Sequence, residues 1–130
     1  MTTSPDMPDP AVGDPPALDP AALDRLKRFG GGKLLNEMIA LFLAAAPERI
    51  AAARQGTDAG DAPAAEMALH SLKSSSAQLG AMRMQRLSEQ GEQLARAGDL
   101  SIVGFLVMDL EDEFTRVHTW LTNARDGGVA

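Results

Sequence analysis

The chain has two histidines and no cysteine, so few of its side chains can do nucleophilic or metal chemistry. His70 stands in the run LHSLKSSSAQLGA, Leu69 to Ala81, with Lys73 three residues later. A neutral imidazole is a good nucleophile near pH 7. A lysine one helical turn away brings an ammonium, with three donors, to any anionic group attached to that ring.

Helical geometry says which way the ring points. At 100° per residue, with Leu72 as reference, Ala65, Ala68, Leu69, Ser75, Ser76 and Leu79 fall within about 60° and form a small, apolar inward stripe. His70 lies near ~160°, on the outer face. Its neighbours there are Glu66, Met67, Lys73, Ser74 and Ala77. The imidazole is thus expected to be open to another molecule, with small side chains beside it. Ser75 and Ser76 are expected to face inward and hydrogen-bond to their own helix.

Several chemistries lack their parts. A metal site on this helix wants a second ligand four residues on, and that position is Ser74; Glu66 is the nearby carboxylate, and His118 belongs to another helix beside Trp120. No metal or cofactor is expected. A serine hydrolase needs an oriented acid, an oxyanion hole and an activated serine, which Ser74 on the same helix does not supply. Gly30-Gly31-Gly32 followed by Lys33 is not a phosphate-cradling P-loop and follows a helix instead of a strand. What remains is an exposed imidazole that accepts and gives up a group, with the catalytic apparatus brought by a partner. The competing reading of His70 alone is an ordinary solvated histidine beside a lysine.

The elements that must position this helix are all helical. Asp19-Pro20 reads as an N-cap followed by proline at the first helical position. A short helix to about Arg28 follows, ended by the three glycines. Leu35, Ile39, Phe42, Ala46, Ile50 and Ala53 mark one face of a second helix, Lys33 to Gln55, with a kink or break expected near Ala44 to Ala46 because Pro47 falls inside it. Asp61 caps a third helix over Ala62 to Leu79. A fourth spans Met82 to Ala97, with Met84, Leu87, Gly91 and Leu94 inward. The last carries the stripe Val103, Val107, Leu110, Phe114, Val117 and Leu121 to about Asn123.

No strand alternation occurs and the connections are short. The fold class is therefore all-α, an antiparallel up-and-down four-helix bundle with a short additional N-terminal helix. Residues 1–17 hold five of the eight prolines and read as a disordered Pro/Asp-rich tail, ahead of a bundle domain over 18–126. The net charge of −6 argues against nucleic-acid binding, which needs clustered Lys and Arg. The apolar runs Met38 to Ala46 and Ile102 to Met108 fall far short of the roughly 20 residues that span a bilayer. MTTSPDMPDP does not read as a secretory signal, and the expected location is the cytoplasm, away from membranes.

The residues around His70 resemble one known family. His70, Leu72, Lys73, Ser75, Ser76, Leu79 and Gly80 occupy the matching places of the histidine-containing phosphotransfer (HPt) motif, approximately His-x-Leu-Lys-Gly-Ser/Ala-Ser/Ala-x-x-Leu-Gly. The likeness extends over roughly residues 18–123. It implies a monomeric helical bundle, not itself an enzyme, whose single histidine takes a phosphoryl group from a receiver-domain aspartate or a kinase and passes it to another receiver. The partners it implies are receiver domains of response regulators or hybrid histidine kinases, which bring the catalytic groups and magnesium and dock over His70, Lys73 and Ser74. Glu92 matches an acidic position common in the family's next helix.

There are two departures. The family's usual glycine after the lysine is Ser74 here, and position 91, commonly a larger apolar residue, is Gly91. A glycine inside a helix costs up to about 1 kcal/mol relative to alanine unless closer packing offsets it. The alternative left by these residues is a regulatory module of the same fold that sequesters a receiver or kinase without carrying phosphate.

Overall fold

In a computed structural model of the chain, residues 16–127 are described. They form α1 (Pro20–Asp58), α2 (Ala62–Gln78), α3 (Met82–Arg96) and α4 (Leu100–Gly127). Neighbours in sequence pack side by side and α4 closes the ring against α1, which makes the all-α four-helix bundle expected from the short connections. The expected tail, residues 1–17, lies almost wholly outside the described residues. Of its last two members, Ala17 offers its carbonyl to the backbone N–H groups of Met82 and Arg83 at 2.9 and 3.1 Å.

That strap has a structural purpose. The residue before α3, Ala81, has no side chain able to cap a helix, and the Ala17 carbonyl takes two of the N–H groups that would otherwise be orphaned. The Asp19 N–H in turn donates to the Gly80 carbonyl at 2.8 Å. At the starts of α1 and α2 the caps read from sequence are present: Asp19 accepts from Ala21 N–H and Asp61 from Ala64 N–H.

The expected short first helix and the second one run on as α1, with a single non-helical residue at Gly31, whose φ is 76°. Only glycine takes that conformation cheaply, so the chain direction changes where the glycines predicted it would. The break expected at Ala44 to Ala46 does not occur: the backbone keeps helical dihedrals through Pro47. Pro47 is on the exposed face, where solvent can serve the carbonyl that proline leaves unpaired four residues earlier.

The core follows the expected stripes. Leu35, Ile39, Phe42, Ala46, Ile50 and Ala53 of α1 meet Leu69, Leu72, Leu79, Met84, Val103, Val107, Leu110, Val117 and Leu121, all buried. α1 is long and apolar enough by composition to cross a membrane, but here its apolar stripe is spent on this core. Ring packing joins Phe42 to Phe114, with centroids 6.3 Å apart. Arg54 of α1 forks onto Glu111 of α4 at 2.7 and 2.9 Å.

Two inward polar groups correct the sequence reading. Ser75 bonds to its own helix at the Ser71 carbonyl, 3.0 Å, whereas the Ser76 hydroxyl is buried without a partner. Glu113, which is not among the stripe residues read from the sequence, is 1% exposed. It is held by Arg116 at 2.8 Å and by Arg83 at 3.5 Å. A carboxylate so placed needs such partners, since burying an unpaired charge is costly.

Candidate functional site

α2 carries the candidate residues, and its buried stripe of Ala65, Ala68, Leu69, Leu72 and Ser76 fixes its rotation. With those five inward, His70 is turned out and its side chain is 61% exposed. Met67, Ser74 and Ala77 are exposed on the same face, while Glu66 and Lys73 are half-buried. The small neighbours leave the ring sterically open.

The ring is not loose. His70 Nδ1 lies 2.8 Å from Oε2 of Glu92, on α3. An ionised carboxylate can only accept, so Nδ1 carries the proton and the lone pair resides on Nε2. Among the described residues no hydrogen bond to Nε2 accompanies this one, and the side chain as a whole is 61% exposed.

Glu92 is the hub of this arrangement. Its side chain is 5% exposed, and its other oxygen, Oε1, stands 2.8 Å from the Lys73 ammonium. Arg96, one turn along α3, reaches Oε2 at 3.2 Å and also pairs with Glu66 at 2.8 Å. Burial pushes the Glu92 carboxyl up, but its contacts with Lys73 and His70 outweigh this and hold it below the ordinary carboxylate range. It is therefore ionised at neutral pH.

Gly91, beside Glu92, packs closely on Leu69, the residue next to His70. A Cβ at that position would stand 2.9 Å from Leu69 Cδ1, so the end of that side chain would have to shift. The glycine lets α3 settle against the residue next to His70, an offset to its helical cost. A groove of about 430 Å³ beside the ring is lined by Pro63, Glu66, Met67, His70, Ser71, Glu92 and Arg96. A second, also about 430 Å³, runs between α1 and α2 past Ala45, Ala52, Ala64, Met67 and Ala68.

Sequence reasoning put His70, Lys73, Ser74, Glu66, Met67 and Ala77 on one face, and they share it. It did not place Glu92 and Arg96 in the site. The spacing of Glu92 and Arg96 by four residues marks one face of α3, but contact with His70 across 22 residues depends on how two helices rotate against each other. No cluster of His, Asp and Glu able to hold a metal ion occurs among the described residues.

An exposed imidazole with one nitrogen pinned to a buried carboxylate, on a four-helix bundle, agrees with the comparisons. The profile of the Hpt domain matches residues 37–120. The chain belongs to the Hpt domain family. Its fold is similar to the crystal structure of histidine-containing phosphotransfer protein B (HptB) from Pseudomonas aeruginosa PAO1, with a TM-score of 0.81 and 27% sequence identity, over 85% of this chain and 96% of that one. A search of the curated proteins gave no match. Hpt domains are phosphoryl carriers rather than enzymes, and they typically interact with receiver domains.

Proposed function

We propose that this Hpt domain is a phosphorelay intermediate of the cytoplasm that carries a phosphoryl group on His70 Nε2, taken from a receiver aspartate or a kinase and delivered to another receiver. The observation that carries the proposal is the 2.8 Å contact of Nδ1 with Glu92 on a ring 61% exposed. It commits the proton to Nδ1 and leaves the nucleophilic lone pair on the open side.

The step balances without help from this chain's other residues as acids or bases. The Nε2 lone pair attacks phosphorus, the P–N bond forms, the P–O bond to the donor aspartate breaks, and the aspartate leaves as a carboxylate. The Nδ1 proton stays where it was, so the ring becomes a phosphorylated imidazolium. Glu92 then faces a positive ring instead of a neutral one and stabilises the product side, including the transition state leading to it. Return of the group to a second aspartate reverses the same changes.

Lys73 supplies the remaining charge. It rests 2.8 Å from Glu92 Oε1 and, being one turn from His70, can swing its ammonium toward phosphoryl oxygens as they arrive. Met67 and the α1–α2 groove offer an apolar seat to the receiver, and Ser74 and Ala77 keep the approach to Nε2 low.

The test is incubation of the purified protein with a panel of phosphorylated receiver domains. An acid-labile, base-stable adduct should form on the wild type and be absent in His70→Gln. Acceptance that persists in His70→Gln would overturn the assignment of the histidine. Tight receiver binding with no adduct would move the function to sequestration.

A further inference from the structure

The first two turns of α4 read Leu100-Ser101-Ile102-Val103-Gly104-Phe105-Leu106-Val107-Met108, apolar nearly all round. A helix of that composition is normally enclosed on every side. Here Val103 and Val107 are buried, but Phe105 is 66%, Met108 53% and Ile102 43% exposed. The three recur every third residue and so spread over an arc of about 120° on the outside of the helix. Beside them, Leu94 of α3 and Leu106 of α4 line a groove of about 370 Å³ with Ile102, Gln90 and Gln93.

Acidic side chains continue this apolar face along α4. Asp109 and Asp112 follow in the same arc, both exposed. Arg116, the cation one turn beyond Asp112, is bonded to Glu113 at 2.8 and 3.0 Å. Asp99 marks the other end, its carboxylate accepting from the Ser101 hydroxyl at 3.1 Å. A second copy of the chain laid on this face would set acid against acid, which disfavours self-association.

We infer that the outer face of α4, with the α3–α4 groove, is a docking site for an amphipathic helix of a partner protein whose apolar face is flanked by lysine and arginine. Phe105 and Met108 are the apolar anchors, and methionine adapts readily to the shape of what it packs against. Asp109 and Asp112 select a basic flank and speed the encounter. The helix-in-groove mode needs only anchors at helical spacing and a complementary rim.

The position gives the site a distinct use. α4 packs on α1 and α3 and lies diagonally across the bundle from α2, so an occupant here leaves His70 free. A tether on this face would raise the local concentration of the phosphorelay machinery around His70 without covering it.

The experiment uses the full chain, labelled for backbone amide NMR, with two designed peptides of about five turns: a leucine-lysine amphipathic helix and a leucine-glutamate helix with the same apolar face. The basic peptide should bind, with shifts confined to residues 90–94 and 102–112, unchanged in His70→Gln. The exposed-site variant Phe105→Ser/Met108→Ser should weaken binding roughly tenfold or more, and Asp109→Asn/Asp112→Asn several-fold with a flatter salt dependence. Both variants change exposed residues, and unchanged thermal melts will show that the fold is kept. Equal binding of the acidic peptide, shifts centred on the α1–α2 groove, or no binding of the basic peptide would overturn the inference. So would a dimer of the free protein that Phe105→Ser dissolves, since the face would then belong to a second copy.

Discussion

Glu92 Oε2 accepts from His70 Nδ1 at 2.8 Å while Glu92 Oε1 lies 2.8 Å from Lys73, so one buried carboxylate ties the exposed imidazole to the neighbouring ammonium. The pairing couples two jobs. Under the proposed function, a ring that gains charge on phosphorylation would draw Glu92 more strongly and leave Lys73 to the incoming oxygens.

Replacing Glu92 by Gln separates orientation from charge. The amide oxygen can still accept from Nδ1–H, so the tautomer is kept and phosphoryl acceptance should persist. What is lost is the difference between a charge-assisted and a neutral hydrogen bond, about 1 kcal/mol, or a roughly fivefold slower acceptance and faster loss of the adduct. Stopped-time transfer assays and phosphorus NMR of the adduct read both. An unchanged rate and lifetime would show that the Glu92 charge has no part in stabilising the imidazolium.

The pH dependence follows from the direction of the Glu92 shift. Its carboxyl is held below the ordinary range by Lys73 and His70 against the opposing effect of burial. A group depressed in the folded state contributes stability that is fully present above its unfolded pKa, roughly 4.3, and is lost as pH falls through the lower folded value. Wild type should therefore lose stability below about pH 4.3 more steeply than Glu92→Gln, as followed by denaturant melts at a series of pH values. Parallel curves for the two proteins would contradict the shift.

Ser74 is the position where this chain departs from the family's glycine. Glycine there would lower the surface beside Nε2 but loosen the exposed helix by about 0.5 kcal/mol. Ser74→Gly should bind receivers more tightly and melt a few degrees lower, whereas Met67→Glu should weaken receiver binding roughly tenfold with little change in melting. Calorimetric titration against one receiver, with thermal melts alongside, distinguishes a docking effect from a folding effect.

Much of this was legible in the sequence because it depends on one helix at a time. The apolar stripe of α2 sets its rotation, and the outward direction of His70 and its five neighbours follows from 100° per residue. The caps at Asp19 and Asp61 and the kink at Gly31 are likewise local chemistry. What was not legible rests on pairs of helices. Glu92 and Glu113 look alike in sequence, acids one turn from apolar neighbours. Each meets a partner from a facing helix, Lys73 of α2 for Glu92 and Arg83 of α3 for Glu113, with Arg116 of α4 itself closer to Glu113. At Pro47 the helix goes on without a break, the proline itself lying on the exposed side of α1.

Gly80 tests whether the motif's last glycine belongs to the site or to the fold. Its φ is +77°, and a Cβ there would drive into the backbone carbonyl of Asp19. Backbone cannot move aside as a flexible side chain can, and the same carbonyl segment carries the Asp19 N–H to Gly80 O bond of 2.8 Å. Gly80→Ala should therefore cost about 1–3 kcal/mol from left-handed strain alone, more as the Ala17–Asp19 strap is displaced. Since the strap caps α3, the loss should register at the α3 N-terminus first, as faster amide exchange at Met82 and Arg83, while His70 and Glu92 near the far end of α3 keep their contact. If instead transfer to His70 fails while exchange at Met82 and Arg83 is unchanged, then Gly80 acts on the chemistry and the account of it as a packing requirement is wrong.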